Sequence, residues 1–296
     1  MANNLRDVRL RMRAIEQTLQ VTKAMNLIST AKLRKGRRTL EDVQPFFTRV
    51  QKSMYDILNA AGHVRSDFFG RKAQSGAYHT AIVVITSDKG LAGGYNANIF
   101  REVNEFCATV KNPILVLIGS IGYRYFIHSP YLILENFSFQ SRLPQVDDAK
   151  QIADYLVSQY LWGMFDEVHV VYTHMYSALK LQPAMRNILP LNKEKMREEM
   201  DRFDYQERAA LRFEYVPSVE SVFDALVPLF IKGIVYGCLV EAYASEQSAR
   251  MSAMSEASKS AEEMLQTLQI RYNRARQAGI TQEMSEIVGG SSALQK

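Results

Sequence analysis

The stretch Val240–Ala275, VEAYASEQSARMSAMSEASKSAEEMLQTLQIRYNRA, decides the fold. Its seam residues recur at alternating four- and three-residue steps: Val240, Ala244, Gln247, Met251, Met254, Ser258, Ala261, Leu265, Leu268, Tyr272 and Ala275. Apart from Gln247 they are apolar or small. That alternation is the signature of a coiled coil, because a 3.5-residue repeat keeps one stripe of a helix against a partner. The wider segment Val219 to Ile287 holds no proline after Pro228. It predicts a helix on the order of 100 Å long at about 1.5 Å rise per residue. Such a helix cannot bury its seam alone.

The other end of the chain supplies a partner. Leu5, Val8, Met12, Ile15, Leu19, Thr22, Asn26, Ser29 and Leu33 follow the same stepping, with Arg, Gln and Lys between them. Two terminal rods separated by a mixed segment predict an antiparallel coiled coil, with the middle folding as a separate body at one end. Ala and Ser dominate Ala242–Ala261, which lets helices approach closely and leaves a smooth outer surface around Ser252 and Ser255.

A chain of 296 residues with 47% hydrophobic content supports one sizeable core plus an extended element and excludes a disordered chain. The most apolar run, Ala225 to Val240, is interrupted by Pro228 and Lys232, so it reads as buried rod rather than membrane span. The first residues lack the apolar core of a secretory signal. Cys107 and Cys238 are far apart and outside any metal spacing, which predicts reduced thiols in a cytoplasmic setting.

The net charge is +5, but residues 1–38 carry ten basic side chains against Asp7 and Glu16 alone. A strongly basic rod suits an acidic partner, whether nucleic acid, anionic lipid or acidic protein loops; a solvated helix face gives the same composition.

The first helix is expected from near Asn4 towards Leu58, kinked or broken at Pro45. Glycines 62, 70 and 76 mark a link. Strand-like runs then alternate with helical ones: strands at 78–86, 114–118, 131–134 and 167–174, helices at 95–110 and 146–162, and a short helix after Gly119. This is the pattern of a mostly parallel α/β sheet. Segments 178–191 and 211–216 are expected to pair as an edge hairpin. The charged stretch 192–208 between them reads equally as helix or loop. Ser218, after Pro217, is the expected N-cap of the last helix, with Ser221 the nearest alternative. The division predicted is a helix over 1–60, an α/β domain over 76–217 and a helix over 218–288.

The loop SDKGLAGGYN (Ser87–Asn96) follows the first strand, where nucleotide-binding folds hold phosphate, but it matches neither phosphate-loop pattern and reads as a tight structural turn. His63, His79, His128, His169 and His174 are scattered with no completing Cys or carboxylate set. No catalytic, cofactor-binding or metal-binding constellation emerges.

Three motifs, LQVTKAMNLISTAKLRK (Leu19–Lys35), TSDKGLAGGYN (Thr86–Asn96) and the stretch Ser245–Gly290, resemble the γ subunit family of the F-type ATP synthase, in its bacterial form, over essentially the whole chain. The resemblance implies a non-catalytic central rotor shaft inside a ring of three α and three β subunits. Its Rossmann-like α/β foot would touch the ε subunit and the membrane c-ring, peripheral to the cytoplasmic face of a bacterial membrane. No cofactor or nucleic acid is implied, since adenine nucleotides bind on α and β. It also implies that Arg276, Gln277 and Thr281 touch a β-subunit loop and that Lys23 and Met25 lie opposite the β-subunit levers. Ala92 and Ser260 depart from the family's common Cys and Asn. The regulatory cysteines of the chloroplast form are missing.

Overall fold

The computed structural model describes residues 2–61, 64–70, 78–139, 142–177, 180–201 and 215–294. They form α1 (Ala2–Ala61), β1 (Thr80–Ile85), α2 (Tyr95–Cys107), β2 (Pro113–Ile118), α3 (Ser120–Phe126), β3 (Leu132–Phe137), α4 (Val146–Leu161), β4 (Glu167–Met175), β5 (Leu181–Leu189), α5 (Lys193–Asp201) and α6 (Val219–Leu294). Two compact units emerge, one from the residues up to Thr30 with those from Arg250 onward, the other from Ala31–Ala249.

The first unit is a two-helix coiled coil whose burial follows the predicted seam. On α1, Leu5, Val8, Met12, Ile15 and Leu19 are half-buried, Thr22 and Ser29 buried, and nearly every residue between them is exposed. On α6 the same holds for Met251, Met254, Ser258, Ala261, Leu265, Leu268, Tyr272 and Ala275. Arg9 donates to the Tyr272 hydroxyl, the Ser258 hydroxyl to Thr22 Oγ1 at 2.8 Å, and Asn26 Nδ2 to the Met251 carbonyl at 3.0 Å. Partners on α6 fall in number as those on α1 rise, so the helices are antiparallel. The polar seam contacts favour the observed register, since sliding one helix would break the Ser258–Thr22 and Asn26–Met251 hydrogen bonds.

The second unit is a five-stranded sheet in the order β3-β2-β1-β4-β5, parallel except for the antiparallel edge strand β5. Strand side chains alternate between two faces. Ala81, Val83 and Ile85 with Ile114, Val116 and Ile118 face α4 and the parts of α1 and α6 in this unit, including Met54, Phe223 and Ile231. Ile82 and Val84 with Leu115 and Leu117 face α2 and α3 through Tyr95, Ile99, Val103 and Phe126. With both faces covered, β1 and β2 read as continuous apolar runs. Ser218 caps α6 as expected, accepting the Ser221 amide at 3.1 Å.

Several expectations are corrected. Of the kink or break expected at Pro45, the break is absent: α1 runs through it, because Val43, Phe47 and Val50 pack into the core and offset the hydrogen bond that proline removes. β5 pairs antiparallel with β4 over Val168–Met175; of the segment expected to form a hairpin with it, 211–214 lie outside the described residues and 215–216 are not strand. The stretch 192–208 is helical in α5, and its remainder from residue 202 lies outside the described residues. The link expected from residue 60 contains the end of α1 and a 3-10 turn at Asp67–Phe69. By composition α6 does contain a window long and apolar enough for a bilayer, with mean hydropathy 1.8, but half of it is buried. Val227, Phe230, Ile231, Val235 and Leu239 belong to the core.

Glycines set how closely α1 and α6 approach in this unit. A Cβ on Gly233 would fall 2.3 Å from the Phe47 ring, whereas one on Gly237, a turn later, would meet open space. Gly233→Ala is therefore expected to destabilise the protein by about 1–3 kcal/mol through forced repacking. Gly237→Ala is expected to stabilise it by about 1 kcal/mol through helix propensity. Thermal unfolding of the two variants checks the contrast.

Candidate functional site

Strand order reverses between β1 and β4, and an open parallel sheet binds ligands at the carboxyl ends of strands flanking such a point. Here the chain's own α6 occupies that place. The Tyr95 hydroxyl donates to the Ala242 carbonyl at 3.2 Å and the Ser245 hydroxyl to the Thr173 carbonyl at 2.9 Å. Ala242, Ser245 and Tyr95 are all buried.

The glycine-rich loop after β1 is a joint, as its sequence predicts. Asn96 accepts the Ser87 amide at 3.1 Å and donates to the Ser87 hydroxyl at 2.7 Å. Asp88 Oδ1 accepts the amide and hydroxyl of Ser120 at 2.9 Å each and the Ser138 hydroxyl at 3.0 Å, tying the ends of β1, β2 and β3 together. A carboxylate in that position also repels phosphate. Gly119, at φ +100°, is required because a Cβ there would sit 2.4 Å from the Thr86 carbonyl oxygen.

Two histidines of this unit pair with carboxylates. His174 Nδ1 lies 2.5 Å from Glu241 Oε1, which also accepts the Met175 amide at 3.3 Å, so the end of β4 is fastened to α6. Burial holds the Glu241 carboxyl above its usual range, with His174 beside it pulling the other way. His169 pairs with Glu167 at 3.1 Å and stacks edge-on to Phe106. Among the described residues no group of His, Cys, Asp and Glu could hold a metal ion; His63 lies outside them.

The coiled-coil surface is chemically different. Arg276, Gln277 and Thr281 are exposed on α6, Lys23 is exposed on α1 and Met25 is half-buried. The antiparallel register separates them into two levels. Lys23 Nζ pairs with Glu262 Oε1 at 2.7 Å, while Gly279, between Gln277 and Thr281, lies opposite Leu5. From Glu262 to Arg276 is about 21 Å along a helix at about 1.5 Å per residue. Sequence reasoning missed Glu262. Its signal was present, because Lys23 and Glu262 each follow a buried seam residue, Thr22 and Ala261, where coiled coils place interhelical ion pairs. Large apolar side chains also stand outside the seam, among them Leu27, Ile28, Ile280, Met284, Ile287 and Val288, each at least half exposed.

A helix pair displaying basic and apolar side chains, joined in sequence to an α/β fold whose ligand crevice holds its own helix, is the arrangement of a subunit that works against partner chains. Residues 4–294 match the ATP synthase family model. The chain is 43% identical to the ATP synthase gamma chain of Ruminiclostridium cellulolyticum over the full length of both. It is 36% identical to the sodium ion specific ATP synthase gamma chain of Acetobacterium woodii, over 99% of this chain and 100% of that one. In fold it resembles a chain of the Euglena gracilis mitochondrial ATP synthase, with TM-score 0.68 and 15% identity over 99% and 95% of the two chains. It also resembles a chain of the central stalk and c-ring of the Tetrahymena thermophila enzyme, with TM-score 0.59 and 23% identity over 80% and 99%. The chain belongs to the ATP synthase gamma chain family.

Both cysteines are buried, and burial pushes each thiol up to about 12. The native protein therefore keeps both thiols protonated and unreactive. Thiol titration is expected to find neither cysteine in native protein between pH 7 and 9, and both after unfolding. Because the unfolded chain loses these protons first, stability is expected to fall as the pH rises above about 9.

Proposed function

We propose that the coiled coil turns inside a ring of three α and three β subunits, coupling ion-driven rotation of the c-ring to the conformation of the catalytic β subunits. The observation that carries this reading is the apolar surface of the helix pair. Leu27 and Ile287 are 72% and 71% exposed, and in an isolated coiled coil such side chains would face water to no benefit. An enclosing wall that they brush in every orientation gives them a role. The basic excess on α1 complements acidic loops on that wall.

An asymmetric shaft cannot make identical contacts with three equivalent β subunits at once. Turning it alters which subunit receives which contact, and each contact shifts the population of nucleotide-binding states on its subunit. In this scheme residues 1–60 and 218–288 form the shaft. Arg276, Gln277 and Thr281 engage a β-subunit loop at one level of it, and Lys23 and Met25 face the β-subunit levers at another. Residues 76–217 form the foot, which meets the ε subunit and the c-ring, peripheral to the cytoplasmic face of a bacterial membrane.

Reconstitution of α and β subunits with this chain tests the reading. A stable complex containing one copy and hydrolysing ATP steadily is expected. The double variant Arg276→Ala/Gln277→Ala is expected to lower turnover or assembly by about tenfold, the loss of one charge-assisted contact with its neighbour. A chain that neither joins the complex nor changes its turnover would refute it.

A further inference from the structure

Lys23 is not a free cation on the shaft. Its ammonium lies 2.7 Å from Glu262 Oε1 across the helix pair, and the two side chains are 57% and 51% exposed. The geometry is built by the seam beneath. Thr22 and Ala261 are buried neighbours of the pair, and the Ser258 hydroxyl donates to Thr22 Oγ1 at 2.8 Å. The two charges are thereby held at one level by backbone that cannot slide. Because the pair is half exposed, water and salt screen it. It opens readily, so an outside carboxylate approaching Lys23 competes with Glu262 for the ammonium.

We propose that Glu262 is a positioning residue for Lys23: an internal competitor that occupies the ammonium between encounters and weakens its hold on each acidic group of the surrounding ring as the shaft turns. This rests on the reading of Lys23 as a contact to acidic loops of β. A cation on a rotor that bound each stator carboxylate at full strength would fall into a well at every position, and leaving that well would slow the turn. With Glu262 as the alternative partner, breaking one ion pair is coupled to forming another. The resting state of Lys23 is then paired whether or not a stator loop is in reach. The carboxylate also fixes the direction of the long Lys23 side chain, so it presents to the ring from one side of the coil.

The test is a double-mutant cycle in the assembled α and β complex, reading steady ATP hydrolysis against ionic strength. Glu262→Gln, which keeps shape and hydrogen bonding, is expected to slow turnover by about two- to fivefold at low salt, the range an exposed ion pair supports. The slowing is expected to vanish near 1 M salt, where the screening length is about 3 Å. In a Lys23→Gln background the Glu262→Gln change is expected to have no effect, and Glu262→Asp is expected to restore most of the rate. A merely structural role in the coiled coil predicts the opposite pattern: slowing that persists in the Lys23→Gln background and at high salt, with a lowered melting temperature. That pattern would overturn the proposal, as would an unchanged rate for Glu262→Gln where Lys23→Gln itself alters turnover. If Lys23→Gln alters neither turnover nor assembly, the contact reading of Lys23 has failed, and the proposal falls with it.

Discussion

The structure depends on one unmet need: each terminal helix carries a seam it cannot bury by itself. A stripe of Leu, Val, Met and Ile on one helix and of Met, Ala, Leu and Tyr on the other leaves water only when the two ends of the chain meet, about 270 residues apart in sequence between Leu5 and Gly279. Closing a loop that long is tolerable because the entropic cost grows only with the logarithm of its length. The intervening residues meet their own demand by building a sheet with both faces covered. Polar seam positions then select one register out of many that hydrophobic contact alone would permit. The bonds of Asn26 to the Met251 carbonyl and of Ser258 to Thr22 are both broken when one helix slides along the other.

The same helix that supplies one seam also changes what the sheet can do. A strand order of 3-2-1-4-5 with a glycine-rich loop after β1 is an arrangement that holds nucleotides in other proteins. In this chain α6 lies across the switch point, hydrogen-bonded to Tyr95 and Thr173, and the loop spends its polar groups on Ser87, Ser120 and Ser138. The sheet thus serves as a mount for α6. The clip between His174 and Glu241 adds a further fastening at the end of β4. A part that transmits force benefits from such joints more than from an open crevice.

The coiled coil was legible because its signal is periodic and long: every predicted seam position from Leu5 to Ser29 and from Met251 to Ala275 is half-buried or buried. The four parallel strands were legible because runs such as Ala81–Ile85 and Ile114–Ile118 are apolar on both faces. What could not be read was set by tertiary context. The break weighed at Pro45 beside a kink is absent because Phe47 packs on Tyr236, with ring centroids 6.1 Å apart, which local sequence does not show. The pairing of β5 with β4 was not read from sequence, because an edge strand of half-buried residues carries no mark of its partner. At the surface, the charge of Lys23 was plain from sequence, but its pairing with Glu262 needs the antiparallel register, which fixes residues 239 positions apart side by side. Arg276, Gln277 and Thr281 came from resemblance rather than pattern, since an exposed residue on a helix has no periodic signature of its own.

The central claim is that this chain turns relative to its partners as they hydrolyse ATP. Because both native cysteines are buried, Trp162→Cys, at an exposed loop position of the α/β unit, would offer one accessible thiol for an optical probe. The measurement is of that probe's orientation in single immobilised α and β complexes supplied with ATP. The account predicts stepwise rotation in one sense, with threefold periodicity and dwell times that shorten as ATP is raised. A probe that stays fixed, or that wanders equally in both senses while hydrolysis continues, would contradict it.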